Sequence, residues 1–316
     1  MRVLVVGPGA LGCLLAAKLS RNNEVWLLDH DPARAALLDA SGLYLEEAGE
    51  TTRHQVRATA EVGDVGGAGL VLLCVKSRNV QEALSGARSA LFGSELVLAM
   101  QNGIGHLDDF AGLGQSLCVG VGVTSLGATL VGPGHVLSRG LGPTFIGQFP
   151  RQGPADAGRR QSCRDSLLKA ALSLSAAGIP TEAVDDVLPK LWDKLLVNVG
   201  INALTAINDC PNGALLDDPK TVGLMQAAVG EAALVADRLG VKIGPDPLAR
   251  VNEVCLATAG NISSMLQDVR ARRPTEIEAI NGAVLSAARA LGIAVPVNEE
   301  LVRRVRSLER NYLVFC

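Results

Sequence analysis

Three polar residues, Lys194, Asn198 and Asn202, recur every four positions in "KLWDKLLVNVGINALTAI" (190–207), a stretch otherwise almost wholly apolar from Leu195 on. Four residues turn an α-helix by about 400°, so the three share one narrow line along it. An exposed amphipathic helix is the plain reading, and Lys190 one turn earlier favours it. Surface helices usually carry a broader polar face, however, and a thin polar line on an apolar helix suggests the wall of a cleft. Asparagines buried there must find partners. A lysine in such a place can protonate an alkoxide left by hydride delivery to a ketone, and amides beside it can orient substrate oxygens.

Two further clusters carry candidate chemistry. In "GNISSMLQDVRARRPTEIEAING" (260–282), "TEIE" fits a capping box. Thr275 is then the N-cap, Glu278 the N3 residue, and Glu276 the first residue of a helix whose dipole favours its charge. Glu276 is thus either an active carboxylate or a helix-start residue. Ser263 and Ser264 precede a short helix, as caps or as donors to a carboxylate. In "QNGIG" (101–105), just past the apolar strand "ELVLAM", Asn102 lies where ligands meet the carboxyl ends of parallel strands, unless it is simply the turn residue before Gly103. Lys76, at the end of "LVLLCVK", points to the same crevice.

A phosphate cradle stands at the start. "VVGPGALG" sets Gly7, Gly9 and Gly12 as G-x-G-x-x-G between an apolar strand (2–6) and a helix (10–21). Gly7 permits the tight turn, Gly9 lets backbone N–H groups approach a pyrophosphate, and Gly12 allows close helix–strand packing. A second strand, "EVWLLD" (24–29), ends in Asp29, at the position where an acidic side chain accepts the ribose hydroxyls of NAD. His30 and Arg34 close by favour the 2′-phosphate of NADP instead, and Asp29 can also belong to a helix cap through "D-x-D-P".

The elements that must hold these residues follow the same order. Short apolar strands at 2–6, 24–29, 70–76 and 95–100 alternate with helical runs, as in a parallel sheet covered on both faces. Glycine-punctuated β-prone runs from Leu117 to Gln148 read as an antiparallel meander appended to that sheet. A polar loop (151–162), a helix (about 163–177) and the strand "IPTEAV" follow. The fold class is α/β: a Rossmann-type dinucleotide-binding domain over 1–185 and an all-helical catalytic domain over 186–316, its helices broken at prolines.

Bulk properties narrow the function. The chain has 316 residues, is 48% hydrophobic and 3% aromatic, and carries a formal charge of −3. Scattered Lys and Arg and scarce aromatics argue against nucleic-acid binding. Seven widely spaced cysteines, without C-x-x-C, read as buried thiols of a reducing compartment, and the four histidines show no ligand spacing, so no metal is expected. Gly7, Pro8 and Gly9 interrupt the apolar N-terminus, unlike a secretion signal, and no apolar run approaches the ~20 residues of a membrane span. A soluble cytoplasmic protein is expected. The apolar run "TVGLMQAAVGEAALVADRL" (221–239) fits internal packing, and a homodimer stays open.

Together, "GPGALG", "CVKS", "QNGIG", "KLWDKLLVNVGINALTAI", "CPNG", "NISSMLQDVRARRPTEIEAINGAV" and "GIAVPVN" resemble the blocks of the ketopantoate reductase (2-dehydropantoate 2-reductase) family, in its order and over nearly the whole chain. The later blocks are far more specific than the glycine loop. The resemblance implies NADPH-dependent reduction of 2-dehydropantoate to pantoate, toward pantothenate and coenzyme A. It implies Lys194 as general acid, Glu276 as active-site carboxylate, and Asn102, Asn198, Asn202, Asn261 and Ser264 as substrate contacts. Gly7, Gly9, Ala10, Leu11, Gly12, Lys76, Asn79 and Asn102 fall on cofactor positions, Asn79 where glutamine is frequent. The departure is "LLDHD" (27–31): many members carry an arginine where His30 stands, so Asp29 and His30 leave NAD open as the cofactor. A paralogue acting on another 2-keto or 3-keto acid is the competing enzyme reading. A non-catalytic dinucleotide sensor is the competing reading of another class, and the presence of both Lys194 and Glu276 argues against it.

Overall fold

The computed structural model describes residues 1–110, 113, 117–148 and 157–313. It divides into two compact units, Met1–Gln101 with Leu107–Val187, and Asn102–His106 with Leu188–Cys316.

The first unit opens with β1 (Arg2–Val6), α1 (Ala10–Leu19), β2 (Glu24–Leu28), α2 (Pro32–Ser41), β3 (Leu43–Glu47), β4 (Glu50–His54) and β5 (Arg57–Thr59). It continues with β6 (Leu70–Leu73), α3 (Val80–Gly86), α4 (Arg88–Phe92), β7 (Leu96–Ala99), β8 (Val119–Thr124), β9 (Gly127–Gly132), β10 (His135–Gly140), β11 (Thr144–Gln148), α5 (Ala157–Ala176) and β12 (Thr181–Val184). Its main sheet has the order β12-β11-β8-β7-β6-β1-β2-β5. The run β8-β7-β6-β1-β2-β5 is parallel throughout. Four-residue all-buried strands such as "LVLL" and "LVLA" are what a sheet covered on both faces demands.

Three features differ from the sequence expectation. The meander is shared between two sheets: β8 and β11 pair antiparallel in the main sheet, while the β9–β10 hairpin joins β3 and β4 in a second one. The second sheet exists because "LYLEE" and "ETTRH" form an antiparallel pair whose β3 buries Leu43 and Leu45 and pairs in parallel with β10. Its alternating, half-polar strands carry a weaker signal than the buried parallel ones. The polar stretch expected as a loop to 162 is helical from Ala157; residues 151–156 lie outside the described residues. The strand expected to reach Lys76 ends at Leu73, so Lys76 stands in the loop that follows.

The second unit is helical: α6 (Leu188–Asn208), α7 (Pro219–Arg238), α8 (Pro247–Ala257), α9 (Ser264–Arg270), α10 (Asn281–Leu291) and α11 (Pro296–Leu313). Proline acts at helix starts. Asp218-Pro219 and Asp246-Pro247 place an aspartate N-cap before proline in the first turn; Asp218 accepts the Lys220 and Thr221 N–H groups and Asp246 that of Ala249. Leu195, Val199, Ala203 and Ala206 of α6 join Val229, Ala232, Val251, Ile280 and Val302 in one core. Among the described residues no helix is long and apolar enough to cross a membrane.

Candidate active site

The polar line on α6 descends into the second unit. Lys190 is exposed, Lys194 and Asn198 are half-buried, and Asn202 is 6% exposed, which sets aside the exposed-face reading. Most of the flanking positions, among them Leu191, Leu195, Val199, Ile201 and Ala206, are buried and lock the helix's rotation. Neither Asn198 nor Asn202 makes a side-chain hydrogen bond among the described residues. An almost fully buried amide without a protein partner is costly unless something else completes it.

Lys194 does have a partner. Its Nζ donates to Asn102 Oδ1 at 2.7 Å, and Asn102 Nδ2 donates to Glu276 Oε2 at 3.2 Å. One amide thereby joins ammonium and carboxylate, and Glu276 is 6% exposed. Burial pulls the Lys194 pKa from 10.5 down to about 8, and the Glu276 charge opposes the fall. A lysine whose pKa is pulled down to about 8 is suited to give up and regain a proton.

Asn102 reaches this position because its loop belongs to the second unit. The Ile104 and Gly105 N–H groups donate to the Ala279 carbonyl at 3.0 and 3.4 Å. Gly103 has φ +79°, and a Cβ there would lie 2.0 Å from that same oxygen. Only glycine accepts both the backbone conformation and the approach. Gln101, in the first unit, donates through Nε2 to the Leu73 and Val75 carbonyls of that same unit.

The capping box expected at "TEIE" does not form. Thr275 Oγ1 accepts the Ile277 N–H at 3.2 Å, but Glu278 turns to Arg306 of α11 in a bidentate pair (2.6 and 2.8 Å). The helix begins later, at Asn281, so Glu276 is not its first residue.

Asn261, on the turn between α8 and α9, and Ser264, the first residue of α9, are exposed. Ser263 is the N-cap of α9 and accepts the Leu266 N–H at 3.1 Å. Its hydroxyl also meets Thr205 Oγ1 at 2.7 Å, and Thr205 is fully buried. Thr205 lies one turn beyond Asn202, so the line on α6 ends by gripping the turn that carries Asn261 and Ser264. The preceding motif "CPNG" holds the other side: the Asn212 and Gly213 N–H groups donate to the Asn261 and Ala259 carbonyls, both at 3.0 Å. Sequence reasoning missed Thr205, although its i+3 spacing from Asn202 was the signal, and it gave Asn212 and Ala279 no role.

In the first unit, the glycine turn has the shape a dinucleotide needs. Gly7 has φ +95° and packs on Val75; a Cβ on Gly12 would lie 2.1 Å from the Gly7 carbonyl; one on Gly9 would meet nothing within 4 Å. Gly9 is the N-cap of α1 and offers no side-chain cap, so the N–H groups over Ala10 and Leu11 have none from it. Lys76 precedes, and Asn79 ends, a short 3-10 turn after β6. Asp29 is not open to a ribose: it is 2% exposed, and its carboxylate accepts Arg34 Nε and, at 2.6 Å, Arg34 Nη2. His30 is exposed, with Nδ1 3.4 Å from Asp29 Oδ1.

Two family models match the chain: "Ketopantoate reductase PanE/ApbA" over residues 3–151 and "Ketopantoate reductase PanE/ApbA C terminal" over 186–309. The 2-dehydropantoate 2-reductase of Halobacterium salinarum is 36% identical over 313 residues, 98% of this chain and 100% of that protein. A PanE/ApbA family ketopantoate reductase from Ralstonia eutropha JMP134 superposes with TM-score 0.86 at 32% identity, covering 99% of both chains. A D-mandelate dehydrogenase with NADH and anilino(oxo)acetate does so with TM-score 0.88 at 25% identity, again over 99% of both.

Proposed function

The chain belongs to the ketopantoate reductase family, and from that premise we propose that it reduces 2-dehydropantoate to pantoate, with NADPH as hydride source and Lys194 as general acid. The observation that carries the residue roles is the hydrogen-bonded chain Lys194–Asn102–Glu276. Gly7, Gly9, Ala10, Leu11 and Gly12 would hold the dinucleotide's pyrophosphate, with Lys76 and Asn79 as further contacts, and the bound cofactor supplies a hydride to the carbonyl carbon.

The chain's own residues manage the oxygens. An ammonium has three donors, and Asn102 takes one of those on Lys194, so others face the substrate carbonyl. As negative charge builds on that oxygen, Lys194 stabilises it and then transfers a proton. The Glu276 charge keeps the lysine protonated near neutral pH despite its burial. Asn198 and Asn202, whose side chains make no hydrogen bond among the described residues, bind the keto acid's polar groups, with Asn261 and Ser264 as further contacts. The product alcohol leaves a neutral amine that is reprotonated from solvent. The six free cysteines among the described residues suit the reducing cytoplasm.

The likeness to a D-mandelate dehydrogenase keeps a second reading in view, a reductase of another 2-keto acid. Turnover of a keto-acid panel with NADPH and with NADH decides between them. The favoured reading requires 2-dehydropantoate to give the highest kcat/KM; a clear preference for an aromatic keto acid overturns it.

A further inference from the structure

Glu276 stands in a stretch with no regular hydrogen-bond ladder of its own. Residues 271–280, between α9 and α10, lie outside any helix or strand, and Arg272 there has φ +53°. Such a segment takes its position from the groups that satisfy it from outside. Here α11 runs beside it and holds it at four points. Tyr312 Oη donates to the Arg273 carbonyl at 3.0 Å, and Glu309 Oε1 accepts the Thr275 N–H at 2.6 Å. Arg306 pairs with Glu278, and Asn298 Oδ1 accepts Asn281 Nδ2 at 3.0 Å. The two partners run in opposite order, from 312 back to 298 on α11 and from 273 forward to 281 on the stretch. The start of α11 is fixed in turn, because the Val297 and Asn298 N–H groups both donate to Glu231 of α7 at 2.9 Å.

The four contacts differ in what they can control. Those of Arg306 and Tyr312 are exposed, where water competes for the same groups. The contact between Asn281 and Asn298 is buried, but it lies at the start of α10, beyond Glu276. The Glu309 contact is charge-assisted, partly buried, and made to the residue directly before Glu276. On the other side, the Glu276 carbonyl accepts the Ala279 and Ile280 N–H groups, both at 3.1 Å. The main chain of Glu276 is thus held before and after the residue, with its carboxylate on Asn102 Nδ2 at 3.2 Å. Resting on the Lys194–Asn102–Glu276 reading above, we propose that Glu309 is a positioning residue for the reduction: by holding the Thr275 N–H it keeps the Glu276 carboxylate on Asn102 and so beside Lys194. Its own charge works elsewhere. Glu309 acts on Arg306 and Tyr312 of its own helix, where Glu278 also faces Arg306 and Asp268 of α9 also faces Tyr312, whereas the charge acting on Lys194 is that of Glu276.

The pH dependence of kcat/KM for 2-dehydropantoate at saturating NADPH, with a denaturant melt of each variant, tests this. Glu309→Ala removes the acceptor, so the midpoint of the falling limb should drop by about half to one pH unit, a loss of roughly two- to fivefold at pH 8. Glu309→Gln loses the charge but keeps an oxygen for the Thr275 N–H, and should restore the wild-type midpoint. A purely structural contact would lower the melt and leave the midpoint where it was. Should Glu309→Ala not fold, Glu309→Asp, whose carboxylate ends one methylene short, must show the same displacement in smaller measure. An unmoved midpoint in folded Glu309→Ala or Glu309→Asp, or a displacement just as large in Glu309→Gln, overturns the inference. If Glu276→Gln still displaces the midpoint in that case, the role of Glu276 stands and only that of Glu309 is lost. If Glu276→Gln leaves it unmoved, the reading of Glu276 falls and this inference with it.

Discussion

Replacing Glu276 by glutamine tests whether its charge works through Lys194. The amide keeps a carbonyl that can accept from Asn102 Nδ2, so the loop can stay in place while the charge is lost. For charges on the order of 6 Å apart at an effective dielectric of about 20, the attraction is about 3 kcal/mol, or about 2 pK units. Lys194 is only partly buried, and solvent screening brings the expected shift to about 1 unit. Reduction needs the protonated lysine, so kcat/KM should fall as pH rises through its pKa of about 8 in the wild type. In Glu276→Gln the midpoint of that falling limb should move to about 7, making the variant roughly fivefold slower at pH 8 from protonation alone. The gap should narrow toward pH 6. The assay is the pH dependence of kcat/KM for 2-dehydropantoate at saturating NADPH. A rate loss equal at every pH, with an unmoved midpoint, would refute the electrostatic role and leave Glu276 as a structural or substrate contact.

Lys194→Met should lower kcat by on the order of 10²- to 10⁴-fold with nucleotide binding retained, measured by turnover and titration. The same variant has a stability signature. The folded pKa of about 8 lies below the ordinary 10.5, so the unfolded chain holds the proton longer and wild-type stability should rise between those pH values. The full change is at most about 3 kcal/mol, and denaturant melts of Lys194→Met should lack its contribution to the rise. Gly103→Ala forces a side chain onto the Ala279 carbonyl at a positive φ; a loss of about 2 kcal/mol or more and a fall in kcat are expected, and an unchanged melt would show that the loop yields freely. Thr205→Val removes a buried hydroxyl from Ser263 at a cost of about 1–2 kcal/mol. It should raise KM for the keto acid more than it lowers kcat, with Thr205→Ser restoring KM; an unchanged KM would make the contact purely structural.

The parallel core of the first unit could be read from sequence because strands such as "RVLVV" and "LVLL" are buried on both faces and short. The second sheet could not, because β3 and β4 are half-polar and β10, which pairs with β3, lies about 90 residues away. The polar line on α6 was legible because it depends only on helical spacing. The fate of Glu278 was not. A capping box is a local pattern, and Arg306, a residue on a distant helix, competed for the same carboxylate and won.

Sequence alone therefore determined the residue types and their local periodicity: the glycine turn, the lysine–asparagine line and the family's blocks. Tertiary structure decided which charges meet. It brought Asn102 to Lys194 and Glu276 from positions 92 and 174 residues away, and it covered Asp29 with Arg34. Periodicity reports the face a side chain shares within one element. Its partner, its burial and hence its pKa depend on what other elements place against that face, and those contacts span the chain.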